Sequence, residues 1–140
     1  MELSVVEEML KVYFAAFAEP DRARRKLHLL QCLTEDAEIL GPGRLFKGHE
    51  AIADKIDGFH SRRPGARLVL ASGFYIFRNI ARFEVAIIGA DGSVAAKGDA
   101  VAEFAQSGQV SRVLPFWESL PPVPESWPRH LGESDLRSKN

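Results

Sequence analysis

Residues 67–117 read RLVLASGFYIFRNIARFEVAIIGADGSVAAKGDAVAEFAQSGQVSRVLPFW, and this stretch decides the fold. Three turn signals divide it: Arg78-Asn79, Ala90-Asp91-Gly92 and Gln106-Ser107-Gly108. Between them lie four runs rich in Val, Ile, Phe and Tyr, the side chains that pack best on a pleated, half-buried surface. The spacing predicts an antiparallel meander with strands at Arg67 to Phe77, Ala81 to Ile88, Ser93 to Phe104 and Gln109 to about Trp117. The first and third are long for globular strands, so each should bend or bulge, with Gly73 and Gly98 as the candidate sites. A strongly curved sheet is the consequence.

Upstream of the meander the period changes from two to about 3.6. Ser4 and Glu7 have capping-box spacing, and Val6, Leu10, Tyr13, Phe14 and Phe17 form one apolar stripe of a helix ending near Ala18. Glu19-Pro20-Asp21 is a stop and restart, proline being tolerated in a first helical turn but not mid-helix. A second helix to about Leu33 is expected to bury Ala23, Leu27 and Leu30, with Arg22, Arg24, Arg25 and Lys26 outward as a solvated face. Thr34 to Leu40 reads as extended, and Gly41-Pro42-Gly43 forces a loop. A third helix after Gly48 should bury Ala51, Ile52, Ile56 and Phe59 and stop at Arg62-Arg63-Pro64-Gly65. Beyond Glu118 the chain turns proline-rich, then polar from Ser134 to Asn140. This suggests one domain over residues 1–120 and a largely irregular tail over 121–140.

Composition bounds the function classes. With 140 residues, 46% of them hydrophobic, the chain suits one globular domain with a sizeable core. A net charge of -1 supplies no field to gather phosphates or anionic lipid, so neither nucleic-acid nor membrane binding is expected. Cys32 is the single cysteine and cannot form an internal disulfide; set between apolar neighbours, it reads as a small buried hydrophobe. No secretory leader and no apolar run of spanning length is evident, so the expected setting is cytoplasmic. His28, His49 and His130 show no metal-ligand spacing, and neither a metal nor a cofactor is expected.

Several short motifs, taken together, resemble the SnoaL-like polyketide cyclase-related group of the nuclear transport factor 2-like superfamily. They are Tyr13 with Asp21, Asp36-Ala37, Lys47-Gly48-His49-Glu50-Ala51-Ile52, Phe59-His60 with Pro64-Gly65, Arg82-Phe83, Asp91-Gly92, and Gly108-Gln109-Val110 leading to Phe116-Trp117. The resemblance covers about residues 5–119. It implies an α+β, cystatin-like cone in which about three N-terminal helices pack on a curved antiparallel or mixed sheet around a pocket. It also implies a homodimer formed through the sheet's outer face.

The family's catalytic sets are incomplete here. Gly41 stands where ketosteroid isomerase-like members carry a general-base aspartate. Ala100 replaces the polyketide cyclase-like aspartate, with Asp99 one residue away and therefore on the opposite face of its strand unless Gly98 bulges. Pro115 replaces the second aspartate of epoxide hydrolase-like members, although Arg82 and Glu84 match their first pair. Strand alternation alone puts Arg82 and Glu84 on a solvated face, whereas the resemblance aims them into the pocket and turns Phe83, Val85 and Ile87 toward a partner subunit.

On the resemblance, Arg82, Glu84 and His60 are the candidate catalytic residues, and Tyr13, Tyr75, Phe77, Asp99 and Trp117 the candidate ligand contacts. The implied ligand is a small, mostly apolar organic molecule. The implied chemistry is cofactor-independent proton transfer of the isomerase, cyclase or hydrolase type. A non-catalytic binding or dimeric interaction module of the same fold is the alternative.

Overall fold

The computed structural model describes residues 1–132. The expected polar end from Ser134 to Asn140 lies outside the described residues. Three helices come first, α1 (Leu3–Ala18), α2 (Arg22–Cys32) and α3 (Gly48–Arg62), with β1 (Leu33–Gly41) and β2 (Arg44–Lys47) as a hairpin between the last two. β3 (Arg67–Leu70), β4 (Tyr75–Phe77), β5 (Ile80–Ile88), β6 (Val94–Phe104) and β7 (Val110–Phe116) complete one mixed sheet. Its order is β2-β1-β7-β6-β5-β3, with β4 also paired to β5; β1 runs parallel to β7 and every other pairing is antiparallel.

The α1 stripe buries Val6, Leu10, Tyr13 and Phe17 as its spacing predicts, with Ala16 buried beside them and Phe14 only half-buried. Each large apolar side chain so removed from water contributes about 1.5–3 kcal/mol. The capping box does not form: α1 begins one residue before Ser4, and its N-cap, Glu2, makes no side-chain cap. Asp21 does cap α2, accepting the Arg24 N–H at 3.0 Å.

α2 is rotated from its expected orientation. Its buried residues are Arg25, Leu29 and Cys32, whereas Leu27 and Leu30 are more than 60% exposed. The cause is a polar anchor that hydrophobic periodicity cannot see. Arg25 donates to the Glu19 carbonyl through Nε at 3.1 Å and through a terminal nitrogen at 2.9 Å, and it pairs with Asp57 of α3. Those bonds satisfy a buried guanidinium and fix which face of α2 turns inward. Around them Arg22 reaches Glu50 at 2.7 Å and Asp54 at 2.9 Å and also pairs with Asp57, while Lys26 pairs with Glu50. The expected outward basic face is therefore a bridge between α2 and α3.

The sheet bends at other places than its glycines suggest. The expected first long strand is two strands: after Ala71, whose N–H still donates to the Glu84 carbonyl at 2.8 Å, Ser72–Phe74 leave the ladder before β4 rejoins it. Gly73 lies in this break. Gly98 does not bulge: it pairs directly with Val85, and the extra residue in β6 is Ala95. A second irregularity falls at Ser111 of β7. These bends leave one concave face against α1 and α3 and one convex face turned away from the helices.

Candidate functional site

Side chains alternate across each strand, so β5 and β6 decide what faces the hollow. Phe83, Val85 and Ile87 of β5 and Ala96 and Ala100 of β6 point to the concave side and help to enclose a cavity of about 350 Å³ under α1 and α3. This is the reverse of the arrangement implied by the resemblance. Arg82 and Glu84 lie on the convex, exposed side, and the apolar trio lines the interior. Burial energetics explain it: turning the strand over would desolvate two charges and expose three large apolar side chains.

The other expected site residues divide between the two faces. Tyr13 and Trp117 line the hollow. Asp99 is on the convex face directly opposite Glu84, in an outer groove that also includes Arg82 and Tyr75. Arg82 makes no ion pair with Glu84 among the described residues; its guanidinium sits 5.6 Å from the Tyr75 ring centroid. Tyr75 and Phe77 are 65% and 60% exposed, so neither supplies lining. His60 is turned away from the cavity and donates its Nε2–H to the Phe17 carbonyl at 2.7 Å, tying α3 to the end of α1. Ala100 and Pro115, two positions where the resemblance led to an expectation of aspartate, do line the hollow, but with apolar side chains.

Aromatic rings form the roof. Phe14, Tyr13, Phe17 and Phe59 follow one another edge to face, with centroids 6.0, 5.2 and 6.0 Å apart, and Phe14 meets Phe83 from the sheet at 6.3 Å. Within this apolar roof the Tyr13 hydroxyl has no hydrogen-bond partner among the described residues. Burial, assisted by the nearby Cys32, pushes the phenol well above its ordinary value, so it remains a donor at all physiological pH. Cys32 itself is pushed up to about 12 by burial and stays an unreactive thiol.

Trp117 reaches the hollow because of Gly98. A Cβ there would lie 2.6 Å from the Phe116 carbonyl oxygen and 2.9 Å from the Trp117 ring, so only glycine lets the chain cross the concave side of β6. Its value is steric room for that crossing, not a bulge.

Three further lining residues were not anticipated. Lys55, Arg62 and Arg63 contribute to the cavity from α3 and its C-terminal end. Positions 55, 59 and 62 follow the i, i+4, i+7 spacing of one helical face, and Phe59 is buried in the roof. That spacing was the available signal; reading the two arginines as a helix stop concealed it. No Asp or Glu lines the cavity, and no three His, Cys, Asp or Glu side chains gather to hold a metal among the described residues.

No family model matches the chain, and no curated protein resembles it in sequence. Solved structures do. An NTF2-like protein from Exiguobacterium matches at 18% identity and a TM-score of 0.61, with 80% of this chain and 99% of that one covered. The protein is thus an NTF2-like α+β fold with a curved, unclosed sheet. A SnoaL-like family protein from Agrobacterium tumefaciens, with an inferred isomerase activity, matches at 28% identity and a TM-score of 0.76 over 83% of this chain and 99% of its own. An inferred polyketide cyclase from Sinorhizobium meliloti matches at 14% and 0.63 over 82% and 99%. The solved structures that share this fold thus include SnoaL-like and NTF2-like proteins. Among the described residues no helix is long and apolar enough to cross a membrane.

Proposed function

We propose that this chain binds a small, mostly apolar organic molecule in the hollow between its helices and the concave face of its sheet. The supporting observation is an apolar cavity of about 350 Å³ with the unpartnered Tyr13 hydroxyl in its wall. A space of this size suits a small organic ligand, and a few donors set in an otherwise apolar lining orient one. The Agrobacterium relative's isomerase assignment makes proton-transfer chemistry the natural activity to assay. Here any such chemistry would draw on Tyr13 and the α3 cations, since the candidate bases Glu84 and Asp99 face outward. Binding is therefore the primary reading.

The test is a binding screen of small aromatic and alicyclic compounds, read by Trp117 fluorescence in a Trp127→Phe background and by thermal shift. Binding should be lost in Ala100→Leu, which fills the hollow from β6 while leaving the convex face alone. Hits whose affinity survives that substitution would place binding elsewhere and overturn the proposal.

A second reading concerns assembly. Phe116, Tyr75 and Phe77 are each more than half exposed on the convex side, an apolar group large enough to favour a partner surface. We propose a homodimer through this face, with Arg82, Glu84 and Asp99 at its polar contacts. Light scattering should give twice the chain mass for the wild type and the chain mass for Phe116→Glu; a monomeric wild type removes the idea.

A further inference from the structure

The charges of α3 are sorted onto two sides. Glu50, Asp54 and Asp57 meet Arg22, Arg25 and Lys26 of α2, and the acids and bases there are mutually paired. On the cavity side stand Lys55, Arg62 and, just past the helix end, Arg63, none of which has an ion-pair partner among the described residues. Elsewhere the lining is almost wholly apolar, and it contains no carboxylate. Arg62 and Arg63 are exposed and Lys55 is half-buried, so an anion entering the hollow would meet three cations that no carboxylate of the protein already neutralises.

Local geometry supports this. Lys55 is half-buried, with its ammonium 5.0 Å from the Phe46 ring centroid. Burial, and then the charge of Arg62, hold that ammonium below the ordinary lysine value. The Arg62 guanidinium folds back along α3, and a Cβ at Gly58 would come within 2.9 Å of it. Glycine at that position therefore lets the arginine lie along the helix surface.

We propose that the molecule held in the hollow is an organic anion, its apolar body against the aromatic roof and its charged head at Lys55, Arg62 and Arg63. This rests on the reading of the hollow as a ligand site and adds the ligand's class. At roughly 30 Å³ per non-hydrogen atom, the share of a water molecule in the liquid, the cavity holds a body of about a dozen such atoms. Tyr13 then meets either an acceptor on that body or its apolar surface, while the cations set the polarity of entry.

The experiment compares three probes of nearly equal size by calorimetry: 2-naphthoate, neutral 2-naphthamide and the cationic 2-naphthylmethylamine. The carboxylate should bind at least about tenfold tighter than the amide, one charge-assisted contact being sufficient for that ratio, and the amine weakest. Lys55→Gln combined with Arg62→Gln should bring the carboxylate-to-amide ratio close to one, and Arg63→Gln alone should lower it in part. Lys97→Gln, on the convex face, should leave the ratio unchanged. Equal affinity for carboxylate and amide in the wild type overturns the anion inference and leaves the hollow as a neutral-ligand site. Binding of none of the three overturns the inference and the site together.

Discussion

The two faces of strand β5 differ by one residue of register and by almost everything else. Phe83, Val85 and Ile87 look into a mostly apolar hollow; Arg82 and Glu84 look out over a groove where Asp99 adds a second carboxylate opposite Glu84. Along the same few residues the environment changes from an apolar roof to open water. The comparison teaches that a catalytic motif carried over from related enzymes is only as good as the side of the strand on which it falls. Arg82 and Glu84 match the related pair in spacing, yet the energetics of burying Phe83 and Val85 outweigh that correspondence. α3 repeats the lesson on a helix, with paired acids on one side and unpaired cations on the other.

The contrast can be broken most severely by moving charge to the inner face. Val85→Glu should abolish folding or cost about 4 kcal/mol in urea unfolding, because desolvating a carboxylate on the sheet's inner face costs more than pairing with the α3 cations would return. Next comes the crossing that brings Trp117 over the sheet. Gly98→Val should cost about 3 kcal/mol and shift Trp117 fluorescence toward that of a solvent-exposed indole, since no rotamer removes a Cβ clash with the Phe116 carbonyl. Unchanged stability would show that the chain can cross elsewhere.

A smaller effect is expected at the helix bridge. Asp57→Ala leaves the buried Arg25 without its carboxylate and should cost about 2 kcal/mol at neutral pH, less than a fully buried pair because Asp57 is itself partly exposed. Burial raises the Asp57 carboxyl, but hydrogen bonds from Arg25 and Arg22 outweigh it and hold the group below its ordinary value. A carboxyl depressed on folding stabilises the protein above its unfolded-state value of about 3.9, and that stabilisation is lost as the pH falls through the lower folded-state value. The gap between wild type and Asp57→Ala should therefore stay constant from neutral pH to about 5 and narrow under stronger acid. A gap that widened on acidification would exclude Asp57 as the group responsible. The smallest effect belongs to the outer face, where Glu84→Gln should change stability by no more than about 0.5 kcal/mol. If Glu84→Gln proved as damaging as Val85→Glu, the assignment of the two faces would be wrong.

Local signals recovered much of this architecture. The tight turns, most of the strand periods and most of the α1 and α3 stripes depend on neighbours within a few residues and are legible in the chain, whereas the split of the first expected strand and the burial of Ala53 rather than Ala51 are not. The class of fold followed from their order, and Asp99 falls on the convex face as its one-residue displacement requires. The candidate site was less legible. Tyr13 and Trp117 reach the hollow, but Arg82, Glu84, Tyr75, Phe77 and Asp99 do not, and His60 instead ties two helices together.

The sequence by itself determined the three helices ahead of a curved meander and which residues of each strand share a face, though not β2 or the break between β3 and β4, because alternation and helical spacing are set by covalent geometry. Tertiary structure decided which of those faces looks inward, that Arg25 rather than Leu27 anchors α2, and that the hollow opens against the Lys55–Arg62 face of α3. Those outcomes depend on partners 30 or more residues away, such as Asp57 for Arg25. Burial and charge pairing between such distant residues act only once the chain has closed on itself.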